Sequence, residues 1–342
     1  MELTPKMIFV IGAPRSGTTM LERIISAHSA VQGGPEPHII TPLAHTGVWD
    51  KVDKAPYDHI LAAEAQKFFV SQLPEGENDY YAACRAYCDV LYGRFLQAKG
   101  TKLYCLDKTP AYALVLPFLS RVYPDAAYIV LTRHPLAIFS SFANSFFDGS
   151  YQEAHAYNPV LERYIPAMAA FLRNPSTRKL HVRYEDLVKA PEEWFEKICN
   201  HIGIPFEAEA VNYGEHRDKQ QTGGLGDPIG VSQHSRPTTA SVKKWAAEIH
   251  ADPLKLTLAK KMIAALNPED LALCGYPLEN LWQPLVQIEG TTLRKPPRSK
   301  LTRYSLERKM ILFFRRRAQK SKLFRKLLLK IRLIADVFLR EV

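Results

Sequence analysis

The chain has 342 residues, and its 46 % hydrophobic content is enough to bury the core of a globular protein, as one large α/β domain or two smaller ones. The formal net charge of +10 comes from residues 291–342 (the tail), which hold 17 Lys and Arg against three acids, whereas residues 1–290 hold 28 against 32. Charged residues interrupt every apolar run before the roughly 20 residues that a membrane-spanning helix needs. The first residues lead directly into a strand, so we expect neither a signal peptide nor a membrane anchor.

The cysteines indicate a reducing environment. Their number is odd, they are scattered, and none of them has the C-x-x-C spacing of a zinc site. We therefore expect reduced thiols in a cytoplasmic protein, without a metal. The five are Cys84, Cys88, Cys105, Cys199 and Cys274.

Apolar runs bounded by turn residues alternate with amphipathic stretches, a pattern typical of a parallel sheet covered by helices. In chain order, the pattern predicts a strand at 7–12, a helix at 18–28, mostly helix over 47–100, a strand at 126–133, a helix at about 135–146, a strand at 179–187, a helix from Pro191 to the stop at Gly203, a long loop over 214–241 and a helix within 308–339. The predicted fold is a three-layer, P-loop-like α/β domain over residues 1–290, followed by the basic helical tail.

The stretch IFVIGAPRSGTT places Gly12 and Gly17 at the spacing of the phosphate-binding loop G-x-x-x-x-G-K-[ST], but Thr18 stands at the lysine position. A strand, glycine loop and helix still direct backbone N–H groups at a phosphate. The next strong strand ends in Thr132 and Arg133 rather than in the aspartate that holds Mg²⁺ in nucleotide hydrolases. Metal-free phosphate binding with arginine as the counter-ion is favoured, and a small-molecule kinase stays as the alternative.

The loop PRSGTT, together with a later strand that ends in Arg133 and is followed by Ser141, resembles the sulfotransferases that use 3′-phosphoadenosine 5′-phosphosulfate as donor. The motifs are most similar to those of the tyrosylprotein sulfotransferases and related bacterial enzymes. The resemblance implies that Arg133 and Ser141 bind the 3′-phosphate of the donor. It assigns the 5′-phosphosulfate to the loop residues Arg15, Ser16, Gly17, Thr18 and Thr19.

Further stretches extend the resemblance. GGPEPHII places Glu36 where these enzymes carry their catalytic glutamate, YCLDKTP places Lys108 at their lysine, and VRYEDLV places Tyr184 near the adenine. The segment 230–245 is similar to the one that closes over the donor. In that segment Ser232 would face the transferring group, and Lys243 would support the 3′-phosphate.

These residues predict a metal-free in-line transfer of a sulfuryl group to an acceptor hydroxyl on a peptidyl tyrosine, a sugar or a lipid. Glu36 is the predicted general base, and Lys108 and Arg15 would stabilise charge on the departing nucleotide. His38, two residues after the glutamate, is a second candidate base. His234 is a candidate donor contact.

The tail interleaves Lys and Arg with Leu, Ile and Phe over 308–339 at helical spacing, which predicts one apolar and one cationic side. Such a helix is typical of peripheral binding to an anionic membrane surface. Packing on the chain's own domain and a homodimer contact are the alternatives. Nucleic-acid binding is a weaker rival, because a charge of +14 attracts any polyanion but no base-reading module is recognisable.

Overall fold

The computed structural model describes residues 5–34, 36–44, 59–100, 102–214, 234–286, 310, 313–314, 317–318 and 321–338. Within these residues the centre of the fold is a sheet of five parallel strands in the order β2-β3-β1-β4-β5. The strands are β1 (Lys6–Ile11), β2 (Val31–Gln32), β3 (Tyr104–Asp107), β4 (Ala127–Thr132) and β5 (Lys179–Arg183).

Helices cover both faces of the sheet. They are α1 (Thr18–Ala27), α2 (Ile40–Ala44), α3 (His59–Val70), α4 (Glu77–Lys99), α5 (Leu116–Val122), α6 (Pro135–Phe146), α7 (Tyr151–Tyr157), α8 (Val160–Arg173), α9 (Tyr184–Lys189), α10 (Pro191–Ile202), α11 (Lys244–His250), α12 (Pro253–Ala264), α13 (Pro268–Leu273), α14 (Leu278–Leu281) and α15 (Gln283–Val286). Short 3₁₀ turns occupy Pro110–Leu114, Ala208–Val211 and Thr239–Ser241.

Strand β1 shows why the fold has three layers. Its residues Met7, Phe9 and Ile11 pack into a core with α4, α5, α6 and α8, while Ile8 and Val10 pack into a second core with α1, α9 and α10. Successive side chains of a strand point to opposite faces, so a continuous apolar run requires cover on both faces. The predicted three-layer α/β fold is confirmed.

Most of the predicted elements are present. The helix predicted at 18–28 is α1, the strand at 126–133 is β4 and the helix from Pro191 is α10, which stops at Gly203 in the left-handed conformation (φ 88°). The described part of 47–100 is helical in α3 and α4. The five cysteines are buried free thiols, as expected. Most of the loop predicted over 214–241 lies outside the described residues.

One predicted strand was too long, and two strands were not predicted. The strand predicted at 179–187 ends at Arg183, and Tyr184 already begins α9, whose acidic first turn suits a helix N-terminus. The sequence prediction also passed over β3, although β3 pairs directly with β1. Because β3 ends in Asp107, a strand next to the glycine loop does end in an aspartate, contrary to the argument from Thr132 and Arg133.

The tail contains a helix, Lys322–Phe338 (the basic helix), as predicted. In the described part of the chain, no helix is both long and apolar enough to cross a membrane. The boundary at residue 290 stays a prediction.

Candidate functional site

The glycine loop connects β1 to α1 through two residues with positive φ, Arg15 (69°) and Gly17 (100°). Gly17 caps the N-terminus of α1. A Cβ atom at Gly17 would lie 2.6 Å from Cδ2 of Tyr184, so only glycine lets the loop pass over this ring. The loop and the start of α9 therefore fit together as one surface.

Arg133, which follows β4, joins three parts of this surface. Its guanidinium lies 4.2 Å from the centroid of the Tyr184 ring. Its Nη1 donates to the carbonyl of Arg15 at 3.0 Å, and its Nη2 donates to the carbonyl of Ser241 at 3.2 Å. Among the described residues, neither Arg133 Nε nor the buried Ser16 Oγ has a hydrogen-bond partner. Buried polar groups of this kind normally have partners, so both are suited to a bound ligand.

A cavity of about 320 Å³ opens between the loop and α6. Arg15 Nε donates to Ser141 Oγ at 3.2 Å, so the loop arginine and the helix serine meet at this cavity. The cavity brings together seven of the residues predicted to bind the donor: Arg15, Gly17, Thr18, Thr19, Arg133, Ser141 and Tyr184.

Lys108 and Glu36 form a buried ion pair beside this cavity. The lysine side chain is 3 % exposed and the glutamate side chain 13 %, and Lys108 Nζ donates to Glu36 Oε1. The same Nζ donates to Thr19 Oγ1 at 3.3 Å, and Thr19 lines the cavity. The loop has Thr18 where phosphate-binding loops have lysine, and here a lysine reaches the loop from the end of β3 instead.

Glu22 is a buried carboxyl group close to Lys108 and Glu36 that the sequence prediction missed. Its side chain is buried in α1 and accepts a hydrogen bond from Ser26 Oγ at 3.2 Å. Burial raises the pKa of Glu22 to about 7, although the nearby charge of Lys108 opposes the rise. The available signal was a carboxylate one turn after Thr18, on a helix whose buried positions beyond Thr18 are otherwise apolar.

Asp107, at the end of β3, points into the core. Its carboxylate accepts hydrogen bonds from Tyr92 (2.5 Å), Tyr112 (3.0 Å) and Thr109 (3.0 Å). Burial raises its pKa to about 6, while these three hydroxyls act in the opposite direction. The Asp107 carboxylate therefore acts as the shared acceptor of these three hydroxyl groups in the core. Within the described residues, no group of three or more His, Cys, Asp or Glu side chains could hold a metal ion.

Comparison with known proteins identifies the family. Residues 5–208 match the sequence model of the sulfotransferase family, and this range covers more than half of the chain. The chain belongs to the sulfotransferase family. The predicted resemblance is thereby confirmed, and the matched range contains the glycine loop, Glu36, Lys108, Arg133 and Tyr184.

Individual relatives carry more specific names. Nodulation protein NoeE of Sinorhizobium fredii is 29 % identical over 274 residues, which span 73 % of this chain and 62 % of NoeE. Protein-tyrosine sulfotransferase 1 of Danio rerio is 25 % identical over 312 residues, 85 % of this chain and 79 % of the relative. Among solved structures, a sulfotransferase domain from the curacin biosynthetic pathway is 24 % identical with a TM-score of 0.48, covering 70 % of this chain and 90 % of that one.

The predicted residues of the segment 230–245 lie in different places. Lys243 lines a neighbouring cavity, whereas Lys244 lines the cavity beside the loop, as does His234. Ser232 lies outside the described residues.

Two histidines close to Glu36 in the sequence, His38 and His28, have different surroundings. His38 Nε2 lies 3.6 Å from Glu36 Oε2, so this second candidate base does lie at the site. His28 is buried, its Nε2 is 2.8 Å from the Pro205 carbonyl, and its Nδ1 accepts from the Ala30 amide, which makes it a structural residue.

Proposed function

We propose that this chain transfers a sulfuryl group from 3′-phosphoadenosine 5′-phosphosulfate to an acceptor hydroxyl. One observation supports the proposal most directly: a single cavity is lined by Arg15 and Arg133, and the ion pair of Lys108 and Glu36 reaches it through the hydrogen bond from Lys108 to the lining residue Thr19. A donor with phosphate groups at both ends of a nucleoside needs two cationic contacts, and an acceptor hydroxyl needs a base.

The cavity has suitable partners for both ends of the donor. Arg133 lines the cavity, and its Nε, which lacks a partner among the described residues, is a donor of the kind that phosphate oxygens accept; Ser16 Oγ also lacks a partner but lies beneath the loop, outside the cavity lining. The 3′-phosphate is assigned to Arg133 and Ser141, and the 5′-phosphosulfate to the glycine loop and the N-terminus of α1. In the segment that begins at His234, we assign the supporting cation to Lys244 in preference to Lys243, because Lys244 lines the cavity.

The transfer itself is an in-line displacement. The acceptor oxygen forms a bond to sulfur, and the bond from sulfur to the oxygen of the 5′-phosphate breaks, so that adenosine 3′,5′-bisphosphate leaves. Glu36 takes the proton of the acceptor hydroxyl. Lys108 and Arg15 stabilise the negative charge that develops on the departing phosphate.

The ion pair suggests an order of events. Without donor, Lys108 Nζ donates to Glu36 Oε1, so this oxygen is already occupied and does not receive the acceptor's proton. A phosphosulfate at the loop offers Lys108 a second anionic partner close to Thr19. Donor binding would thereby release Glu36 for the acceptor, so we expect the donor to bind first.

The acceptor is proposed as a hydroxyl compound, with peptidyl tyrosine, a sugar and a lipid as the candidates. The name of the Danio rerio relative supports tyrosine.

Calorimetric titration with adenosine 3′,5′-bisphosphate in the absence of magnesium tests the donor. We expect tight binding by the wild-type chain, weak binding of ATP, and loss of binding in Arg133→Ala. Because Arg133 also bonds the backbone at Arg15 and Ser241, Ser141→Ala tests the same pocket without removing those bonds. A thermal melt of both variants checks their folding. Preference for ATP with magnesium would refute the proposal and favour a kinase.

A further inference from the structure

The basic helix carries two parallel stripes on its surface. Residues four apart lie one above the other on a helix, so each stripe runs along the axis. The apolar stripe is Leu323, Leu327 and Ile331, which are 83 %, 52 % and 52 % exposed. The cationic stripe is Lys322, Lys326 and Lys330, all exposed.

The basic helix differs in charge from residues 1–290. The stretch 322–338 contains five Lys and Arg against one acid, Asp336, whereas residues 1–290 are slightly acidic. A row of large apolar side chains exposed to water raises the free energy of the protein, and a partner that covers them removes that cost. The partner of this surface must therefore offer apolar contact and negative charge side by side.

The segment before the helix extends the apolar surface. Phe313 and Phe314 are exposed, and the Phe314 ring stacks on Phe324 of the basic helix with centroids 6.1 Å apart. The guanidinium of Arg317 lies 5.9 Å from the Phe324 ring centroid. Aromatic rings beside cations are typical of helices that lie at the boundary between headgroups and acyl chains.

We propose that the basic helix binds the surface of an anionic lipid bilayer, with its apolar stripe among the acyl chains and its lysines at the headgroups. A bilayer supplies both chemistries next to one another. A nucleic acid supplies the negative charge but no apolar layer, and an apolar protein groove supplies no negative charge. The helix lies in the plane of the surface, since none of the described helices can cross it.

Membrane docking goes beyond the proposed sulfuryl transfer and does not depend on it. Its consequence is that the cavity works next to a membrane, where acceptors with lipid headgroups or membrane-bound chains are concentrated. Binding to vesicles and binding of adenosine 3′,5′-bisphosphate are separate measurements, so failure of one proposal leaves the other standing.

Co-sedimentation of the full chain with vesicles tests the docking. We expect binding to an equimolar mixture of phosphatidylserine and phosphatidylcholine, little binding to phosphatidylcholine alone, and weakening at high salt. A lysine near an anionic leaflet contributes about fivefold in affinity, so replacing the cationic stripe by Gln weakens binding on the order of 10²-fold. A control with the same charge change, Lys99→Gln with Lys260→Gln and Lys261→Gln, removes exposed lysines of α4 and α12 and keeps most of the affinity.

The apolar stripe distinguishes a membrane from other partners. Replacing Leu323, Leu327 and Ile331 by Gln keeps the charge and the helix propensity, and we expect vesicle binding to fall by on the order of 10²-fold while attraction to DNA persists. Vesicle binding that is unchanged in this variant overturns the proposal. So does a wild-type dimer in lipid-free solution that becomes a monomer in the variant, because a second copy of the chain then covers the stripe.

Discussion

Replacing Glu22 by Gln tests whether the buried carboxyl of α1 is protonated in the folded protein. Glutamine has the shape of the neutral acid and can still accept the hydrogen bond from Ser26 Oγ. Glu22 has an ordinary pKa of 4.5, and burial raises it to about 7. The substitution therefore removes a titration and leaves the packing nearly unchanged.

The sign and size of the effect follow from linkage. The folded state holds the proton of Glu22 up to about pH 7, whereas the unfolded chain releases it from about pH 4.5, so the folded state binds more protons between these values. Stability of the wild-type chain consequently falls as pH rises through this window, by about 3 kcal/mol in total, since one pKa unit corresponds to about 1.4 kcal/mol. The Gln variant has no such loss.

Urea unfolding of both chains from pH 5 to pH 8 measures this difference. We expect similar stabilities at pH 5 and a variant that is more stable than the wild type by roughly 2 kcal/mol or more at pH 8. All other titrating groups are the same in both proteins, so their contributions to the pH dependence cancel in the difference in stability. Curves that stay parallel across the window would refute the reasoning, and would mean that the charge of Lys108 keeps Glu22 ionised in the folded protein.

Three further predictions concern the two proposed catalytic residues, the glycine loop and the buried carboxyl of Asp107. Glu36→Gln and Lys108→Ala each lower kcat at saturating donor by on the order of 10²-fold or more, and a rate near that of the wild type removes the residue from the mechanism. Gly17→Ala weakens binding of adenosine 3′,5′-bisphosphate, because the new Cβ atom clashes with the Tyr184 ring. Gly76→Ala is the control: Gly76 also has a positive φ (57°) but lies in open space, so binding stays unchanged. Equal effects of the two substitutions contradict the close fit of the loop on the Tyr184 ring. Asp107→Asn removes a carboxyl whose pKa burial raises from 3.8 to about 6, so the stability of the variant relative to the wild type rises as pH increases through this range, and a difference that does not change with pH contradicts that account.

The parts of the fold that the sequence predicted are those specified by local chemistry. The helix that starts at Pro191 and stops at Gly203 is specified by residues close together in the chain, and so are the glycine positions and the long apolar strands. The same holds for the loop PRSGTT, whose spacing alone indicates a phosphate. Strand β3 has only four residues and β2 only two, too few for periodicity to separate them from loop.

Asp107 stands at the end of a strand that the sequence did not predict, and this position bears on the choice between a kinase and a sulfotransferase. The absence of a strand-end carboxylate was used against a kinase, but β3 places Asp107 at such an end, directly beside β1. What removes Asp107 from phosphate chemistry is its orientation, since two tyrosines and a threonine bind its carboxylate inside the core. Orientation depends on packing between distant elements, which a single sequence does not reveal.

The ion pair at the site was beyond sequence reasoning for the same reason, and it changes how the two residues should be understood. Lys108 and Glu36 are 72 positions apart, and they meet only because β3 lies next to β1 and its end approaches the start of α1. In the sequence prediction, Glu36 is a base and Lys108 stabilises charge on the leaving group, each independently of the other. As an ion pair they offset each other's charge, and in the proposed mechanism the donor that binds beside Thr19 draws Lys108 away and so frees the base that receives the acceptor's proton.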